Sequence, residues 1–187
     1  NLKYEYLKQE LSKRRITIHT DKVLSNVDSK TKRLTFSSNE ILEYDLLITV
    51  PIHQSPKIIR EAQLTGPSGW IHVNPSTLRT NHDNIFAIGD ANFVPMANGT
   101  PMPKSGILAT REGESVARNL SAQIQGGPEE SYSGDGYCFV DHGGGKTALI
   151  NGHFLADGGP EVTLDYAKPI WHRKKIRFEK DWRHWKI

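Results

Sequence analysis

One stretch near the middle of the chain, Ile85–Ala91, restricts the fold more than any other. Four apolar residues are followed by Gly89 and Asp90, a pattern that predicts a short buried strand with a carboxylate at its carboxyl end. Ligands of open α/β sheets bind at this end of the strands. A Gly-Asp pair alone favours an ordinary strand that runs into a turn. The alternative is a binding site, since a short acid beside a residue without a Cβ suits a ligand that offers hydroxyl groups and passes close to the backbone.

Composition excludes several classes of function. The 187 residues suffice for one sizeable core or two small ones. Hydrophobic residues make up 36% of the chain and charged residues 24%, and no apolar run is long enough to span a bilayer. The formal net charge of +3 gives no indication of nucleic-acid binding. The single cysteine, Cys138, excludes an internal disulfide, and the eight scattered histidines lack metal-ligand spacing, so we predict no metal site.

Two stretches, Thr80–Asp90 and Tyr44–Pro51, resemble segments of the FAD-dependent pyridine nucleotide-disulfide oxidoreductase superfamily. The run Thr80–Asp90 resembles its second flavin-binding fingerprint. This resemblance implies that FAD is the cofactor and that Gly89 and Asp90 contact it, with the Asp90 carboxylate on the ribityl chain. The run Tyr44–Pro51 resembles the segment through which these chains return from the second nucleotide domain to the flavin domain. Its Val-Pro ending resembles the quinone-reducing branch of the superfamily.

A third stretch, Pro103–Gly106, precedes a helical run over residues 107–123, and Ser105 is placed to cap that helix. The stretch resembles the Pro-Lys-[Ser/Thr]-Gly segment of sulfide:quinone oxidoreductases. A helix amino terminus carries partial positive charge, which suits the flavin edge where negative charge accumulates on reduction. Lys104 adds a full charge. We therefore expect Lys104, Ser105 and Gly106 to bind FAD; apart from the resemblance, Lys104 is equally well explained as a solvated loop lysine.

Cys138 lies on a predicted hairpin near the carboxyl end. Residues Tyr137–His142 predict one strand, Gly143–Gly145 the turn and residues 146–150 the returning strand. By itself, a lone cysteine on an apolar strand is more often an inert, buried residue. In sulfide:quinone oxidoreductases a redox cysteine occupies such a strand, so the resemblance implies that Cys138 is catalytic and carries sulfur. Its partner cysteine is not in this chain. Either the partner lies in an amino-terminal half outside this sequence, or its absence argues against sulfide chemistry.

The tail from Trp171 to Ile187 intersperses large apolar residues with lysines and arginines. As a helix, this tail would place Phe178, Trp182 and Trp185 on one stripe with basic residues around it. Basic residues with interfacial tryptophans are typical of a segment that lies on an anionic membrane surface, which is where a lipid-soluble quinone would enter. A helix packed on its own domain with a solvated basic face explains the same pattern.

The predicted fold class is α/β: the carboxyl-terminal part of a Rossmann-like flavoprotein with two dinucleotide-binding domains, ending in a β-hairpin and a helix. We expect residues 1–50 to complete the second nucleotide-binding domain, residues 51–130 to form the carboxyl-terminal part of the FAD-binding domain, and residues 131–187 to form the hairpin and an amphipathic helix on the membrane and quinone side. Before residue 50 we predict a helix at 2–14 and strands at 16–19, 22–28, 33–36 and 44–50.

Two features of the sequence suggest a carboxyl-terminal piece of a longer protein. The chain opens without Met inside a predicted helix. It also lacks the Gly-x-Gly-x-x-Gly motif that cradles the FAD pyrophosphate. We therefore expect this chain to bind flavin poorly on its own.

The resemblance as a whole implies an enzyme, an FAD-dependent sulfide:quinone oxidoreductase that passes electrons from sulfide, through a cysteine persulfide, to a quinone. The implied partners are sulfide, quinone and a peripheral membrane surface on the cytoplasmic side, with a homo-oligomer as a further expectation. One alternative is a type II NADH:quinone reductase or a related disulfide reductase in which Cys138 is structural. Another is a flavin-free scaffold or dimerisation fragment without catalytic activity.

Overall fold

The structure, a computed structural model, describes residues 2–183 of the chain, with side chains from residue 4 onward. It divides into two compact units, residues 1–53 and 54–187. The first unit contains one helix and an antiparallel three-stranded meander. Its elements are α1 (Leu2–Lys13), β1 (Leu24–Asp28), β2 (Arg33–Phe36) and β3 (Ile41–Glu43). The predicted helix at 2–14 and the strands at 22–28 and 33–36 are therefore confirmed.

Two predicted strands of the first unit, at 16–19 and 44–50, are wrong for the described residues. The Tyr44 N–H still donates to the Lys32 carbonyl at 3.0 Å, and beyond it the chain leaves the meander. A strand persists only where a neighbour accepts and donates its backbone hydrogen bonds. Apolar side chains at alternate positions of this segment are instead solvent-exposed; they are Leu46, Ile48, Val50 and Ile52, at 78%, 87%, 80% and 92%.

The second unit is organised around one long helix, α3 (Gly106–Gln125). The Ser105 hydroxyl caps its start, and Gly126, with a φ of +73°, ends it in a left-handed conformation. Before α3 the chain forms a short helix and a parallel pair of two-residue strands, and after it an antiparallel sheet and a last helix. These elements are α2 (Lys57–Glu61), β4 (Ile71–His72), β5 (Asn92–Phe93), β6 (Asp135–Asp141), β7 (Thr147–His153), β8 (Glu161–Lys168) and α4 (Pro169–Arg183).

The core of the second unit lies between α3 and the irregular segments that precede it. Leu108 and Val116, two turns apart on one face of α3, are buried there together with Leu78 and Val94. The remaining buried members of this cluster are Ile71, Val73, Ala87, Met102 and Tyr132. This core fixes α3 against the segment that contains Asp90.

The segment predicted as a buried strand, residues 85–88, is extended but forms only an isolated bridge between Arg79 and Phe86 in the described structure. The Thr80 N–H donates to the Ile85 carbonyl at 2.9 Å, and the Ala87 N–H donates to the Leu78 carbonyl at 3.2 Å. A regular strand is therefore not formed, although the polypeptide reaches Gly89 in the extended conformation that we expected.

The predicted hairpin is confirmed as β6 and β7, which pair from Asp135–His153 to Asp141–Thr147. Gly143, Gly144 and Gly145 have φ values of +68°, +59° and +71°, a conformation that disfavours side chains with a Cβ. The third strand, β8, was not predicted.

The predicted carboxyl-terminal helix is confirmed as α4, which begins at Pro169, packs on the sheet at β7 and extends to Arg183. The expectation for Trp185 falls outside the described residues. Between residues 2 and 183, no helix has the length and apolarity required to cross a bilayer. In the same part of the chain, no group of three or more His, Cys, Asp or Glu side chains could hold a metal ion.

Candidate functional site

The turn formed by Gly89–Asn92 carries the two predicted flavin contacts that follow the extended segment. Its first three residues form a single 3-10 turn. Gly89 has a φ of +65°, and a Cβ at this position would lie 3.3 Å from the Cβ of Ala109 on α3. Glycine is therefore favoured twice here, by the left-handed backbone and by the close approach of the turn to the helix. The side chain of Asp90 is exposed, so its carboxylate is available to a ligand.

A buried carboxylate, Glu112, accepts hydrogen bonds from two N–H donors of this turn. Glu112 belongs to α3 and is 2% exposed. Its Oε2 accepts hydrogen bonds from the Gly89 N–H at 2.5 Å and from Asn92 Nδ2 at 2.9 Å. Burial raises the pKa of Glu112, and the two hydrogen bonds oppose that rise by stabilising the anion. Asn92 Nδ2 also donates to the Ala87 carbonyl at 3.2 Å, so the turn is tied both to α3 and to the segment before it.

Lys104 donates hydrogen bonds to two backbone carbonyls of the same turn. Its Nζ donates to the backbone oxygens of Asp90 and Asn92, each at 2.6 Å, and lies 4.1 Å from the ring centroid of Trp70. Partial burial lowers the pKa of Lys104, and the carboxylates of Asp90 and Glu112 oppose that shift. The predicted cofactor-binding lysine is therefore next to Asp90, with its ammonium group on backbone carbonyls and on an aromatic face.

The start of α3 is capped as the sequence predicted. The Ser105 Oγ accepts a hydrogen bond from the Leu108 N–H at 3.3 Å. The first amide groups of a helix lack partners within the helix and carry partial positive charge. A Cβ added to Gly106 would meet no heavy atom within 4 Å. This helix terminus therefore borders open space that a ligand can enter.

A cavity of about 720 Å³ lies beside the start of α3, β6 and α4. Its volume is in the range of small-molecule and cofactor sites. Cys138 lines this cavity together with Ser105 and Gly106, so the structure brings three of the predicted site residues together. The full lining consists of Ser105, Gly106, Ile107, Tyr137, Cys138, Phe139, Lys175, Phe178, Glu179, Trp182 and Arg183.

The Cys138 thiol is exposed on β6. Its Sγ lies 3.7 Å from the Phe139 carbonyl oxygen. Inert cysteines are usually buried as small apolar residues, and Cys138 does not have that environment. A thiol that lines an open cavity is accessible to small reactants, which is a requirement for sulfur chemistry.

Phe178 of α4 contributes the central part of the cavity's aromatic wall. Its ring centroid lies 6.2 Å from that of Tyr137, 6.1 Å from that of Phe139 and 5.8 Å from that of Trp182. Phe178 and Trp182 are four residues apart and so share one face of the helix. The aromatic stripe predicted from the sequence therefore packs partly on the chain's own sheet, while Trp182 remains 44% exposed.

Lys175 places a charged group among the cavity's apolar side chains. Its Nζ lies 3.3 Å from Asp141 Oδ2 and forms a second ion pair with Glu179. Hydrogen bonds with Glu179 and Asp141 raise the pKa of Lys175. The Gly143 N–H and Lys175 together hold the pKa of Asp141 below its ordinary value. The cavity thus combines an apolar wall with a few polar groups, as ligand sites commonly do.

The predicted site residues form two clusters that are adjacent in the chain. Gly89, Asp90 and Lys104 lie at the turn, whereas Ser105, Gly106 and Cys138 line the cavity. Because Lys104 and Ser105 are consecutive, one short segment belongs to both clusters.

Our sequence reasoning missed Glu112 and the contact of Lys104 with Trp70. A signal for Glu112 was present, since this acid lies on the same helical face as Leu108 and Val116, four residues from each. An acid within an apolar stripe indicates a buried partner.

These features fit part of an FAD site. Asp90 offers an exposed carboxylate to hydroxyl groups, and the glycine before it lets the turn approach α3 closely. The open amino terminus of α3 at Gly106 offers partial positive charge to an electron-rich ring edge. The chain therefore contains residues suited to the ribityl and ring portions of the cofactor.

Comparison with known proteins identifies the family. The sequence model of the pyridine nucleotide-disulphide oxidoreductase family matches residues 4–113. A type II NADH:quinone oxidoreductase of Staphylococcus aureus strain NCTC 8325 is 32% identical over 100 residues, which are 53% of this chain and 22% of that protein. The corresponding protein of strain MW2 is 36% identical over the same shares. The chain thus spans about a fifth of the length of these curated relatives.

Solved structures show the same fold. A sulfide:quinone oxidoreductase from Aquifex aeolicus superposes with a TM-score of 0.76 at 18% identity, covering 94% of this chain and 43% of that protein. A ferredoxin reductase from Rhodopseudomonas palustris superposes with a TM-score of 0.59 at 23% identity, covering 80% of this chain and 37% of that protein.

The family match and these structures confirm the predicted fold class and the predicted cofactor. The chain belongs to the pyridine nucleotide-disulphide oxidoreductase family, whose members are FAD-binding flavoproteins.

Proposed function

We propose that this chain is part of an FAD-dependent quinone reductase that takes electrons from sulfide and carries sulfur on Cys138. One observation carries the proposal. A single cavity is lined by an exposed thiol, by the amino terminus of α3 and by the aromatic side chains of α4. A sulfide oxidase that reduces quinone needs a sulfur-accepting thiol, a flavin contact and an apolar slot for a ring, and the cavity and the turn beside it offer residues for all three.

In this proposal the residues of turn 89–92 and of the helix start hold FAD, which supplies two-electron redox chemistry when bound. The Asp90 carboxylate accepts hydrogen bonds from ribityl hydroxyls. The amide groups at Ser105 and Gly106 would hold the ring portion of FAD and favour negative charge on it. Lys104 acts chiefly by position, since it fixes the Asp90 and Asn92 carbonyls and adds positive charge nearby.

The aromatic wall of the cavity is proposed as the quinone site. Phe139, Phe178 and Trp182 present faces and edges on which an apolar ring packs. Lys175 and Glu179 line the same cavity and are the groups best suited to bind quinone oxygens and to exchange protons with them. The lining therefore suits a ligand that is apolar over most of its surface and polar at two oxygens.

The proposed net reaction converts hydrogen sulfide and quinone into sulfane sulfur and quinol, with two electrons and two protons transferred. Hydrosulfide attacks a disulfide between Cys138 and a second cysteine; an S–S bond to Cys138 forms as a persulfide, and the other cysteine leaves as a thiolate. The outer sulfur of the persulfide then passes to a second hydrosulfide, which leaves as a polysulfide and frees the Cys138 thiolate. Oxidation of the two cysteine thiolates restores the disulfide, and quinone is the final acceptor of the two electrons. Because Cys138 is the single cysteine of this sequence, the second must come from polypeptide outside it.

Helix α4 is proposed to attach the protein peripherally to an anionic membrane surface. Four of its basic side chains are exposed and do not line the cavity; they are Arg173, Lys174, Arg177 and Lys180. Trp182, which is 44% exposed, adds an amphipathic ring suited to the interface. A quinone dissolved in the bilayer would then reach the cavity from the lipid.

The direct test is Cys138→Ser in the full-length protein, assayed for sulfide-dependent quinone reduction. The matched control is Asn151→Ser, an exposed position on the neighbouring strand β7 that does not line the cavity. We expect the Cys138 variant to lose nearly all sulfide-dependent activity while keeping its visible flavin spectrum. Full sulfide-dependent activity in this variant would refute the role of Cys138.

A second candidate is a type II NADH:quinone oxidoreductase in which Cys138 is structural. The Staphylococcus aureus relatives, 32% and 36% identical over 100 residues, favour it. The same two variants distinguish the candidates, since rapid NADH-dependent quinone reduction that survives Cys138→Ser supports the second. A purified full-length protein without flavin absorbance would refute both and favour a non-catalytic scaffold.

A further inference from the structure

Turn 89–92 is held from two sides by side chains of opposite charge. Glu112 accepts from the Gly89 N–H at 2.5 Å and from the Asn92 amide at 2.9 Å. Lys104 donates to the Asp90 and Asn92 carbonyls, each at 2.6 Å. The acid therefore satisfies donors and the base satisfies acceptors of the same short segment, and the Asp90 side chain within that segment is exposed.

The carboxylate at position 112 is costly for the fold. It lies on the buried face of α3, between Leu108 and Val116, and is 2% exposed. Burying an acid in apolar surroundings is unfavourable unless its oxygens receive strong hydrogen bonds. Both bonds to Oε2 come from the residues that flank Asp90 and Ala91, at positions 89 and 92. The hydrogen bonds of this buried acid therefore fix the geometry of one turn.

We propose that Glu112 is a positioning residue of the FAD site, which fixes the amide side of turn 89–92 and thereby sets the direction of the Asp90 carboxylate. This inference rests on the proposed role of Asp90 toward FAD. It assigns to Glu112 a function through Asp90, without contact between Glu112 and the cofactor. The affinity for FAD should therefore depend on Glu112 only while Asp90 is present.

A double-mutant cycle tests this dependence, with FAD titrated into the apo form of the full-length protein and the Kd as the readout. Glu112→Ala should weaken FAD binding about tenfold, which corresponds to the loss of hydrogen bonds to a charged group. Glu112→Gln should restore binding to within about threefold of wild type, because its amide oxygen accepts the same two bonds. In an Asp90→Ala background, Glu112→Ala should change the Kd less than about twofold.

The control is Glu114→Ala, which removes an exposed carboxylate from the next part of α3 and should leave the FAD Kd unchanged. If Glu112→Ala does not fold, Glu112→Asp replaces it, since its shorter side chain keeps the charge but retracts the oxygens from the turn. Wild-type FAD affinity in Glu112→Ala or Glu112→Asp would overturn the inference. An equal loss of affinity with and without Asp90 would also overturn it, because a general defect in folding acts additively.

The cycle separates this inference from the proposed function. Full-length protein that binds FAD with the expected cycle but fails to reduce quinone would support the role of Glu112 and refute only the proposed function. Full-length wild-type protein that binds no FAD would refute both.

Discussion

The rings of Phe178 on α4 and Phe139 on β6 lie 6.1 Å apart between centroids, and Cys138 lines the cavity beside them. The helix therefore contributes to the cavity wall as well as carrying a basic surface. Removing the Phe178 ring should affect ligand binding and stability together, because the same atoms pack on the sheet and face the cavity.

Phe178→Ala is expected to raise the KM for a short-chain quinone at least fivefold and to lower the free energy of unfolding by about 2 kcal/mol. Steady-state kinetics with a soluble quinone analogue and chemical denaturation measure the two effects. The control is Ile170→Ala, which shortens an apolar side chain of α4 that is 42% exposed and does not line the cavity. An unchanged KM in Phe178→Ala would remove the aromatic wall from the proposed quinone site.

Gly89→Ala is expected to destabilise the protein by more than the conformational cost of a left-handed alanine, which is about 1 kcal/mol. The added Cβ would lie 3.3 Å from the Cβ of Ala109, whereas a Cβ at Gly69, where φ is +79°, would meet nothing within 4 Å. Gly69→Ala therefore measures the backbone cost alone. Comparison of the two melting temperatures isolates the packing cost, and equal shifts would show that turn 89–92 does not press against α3.

Glu112→Gln should remove a pH-dependent penalty on stability. Burial raises the pKa of Glu112 above its usual value of 4.5, so the folded protein binds a proton more tightly than the unfolded chain. Stability should therefore be greatest below the unfolded pKa and should fall as pH rises toward and through the folded pKa. Unfolding free energies of wild type and Glu112→Gln are measured from pH 4 to pH 8. As pH increases, the wild-type value should fall relative to that of the variant. A difference that is independent of pH would contradict this expectation.

Replacing the exposed basic residues of α4 by glutamine should weaken binding to anionic vesicles. Each lysine or arginine near such a surface contributes about 1 kcal/mol to binding at moderate ionic strength. A quadruple variant should therefore bind at least tenfold more weakly; its glutamines replace Arg173, Lys174, Arg177 and Lys180. Co-sedimentation with phosphatidylserine vesicles measures this, and uncharged vesicles provide the baseline. Equal binding of both proteins would favour the alternative in which the basic face is merely solvated.

Features that depend on neighbouring residues were predictable from the sequence. The Ser105 cap and the Gly143–Gly145 turn follow from local backbone chemistry, and the structure contains both. The bond between Glu112 and Gly89 joins residues 23 positions apart, and no local pattern specifies such a contact. The pairing of β8 could have been suspected from the alternation of Val162, Leu164 and Tyr166.

The prediction of a strand at 44–50 failed for a different reason. Its alternation of apolar residues was sound evidence for an extended backbone, but pairing also requires a neighbour, and the meander formed by β1–β3 does not include it. The positions of Lys104 and Cys138 were identified through resemblance and not through physical pattern. Their surroundings, including Trp70 and the aromatic wall, emerge only when distant segments are packed together.

The segment beyond β3 has a practical consequence for handling this polypeptide. Leu46, Ile48 and Val50 are apolar side chains in a segment that belongs to no strand of the described structure, and each is at least 78% exposed. Exposed apolar segments of this kind tend to associate with one another. Preparations of the isolated chain should therefore become turbid as concentration increases, and a lysine in place of Ile48 should keep them clear.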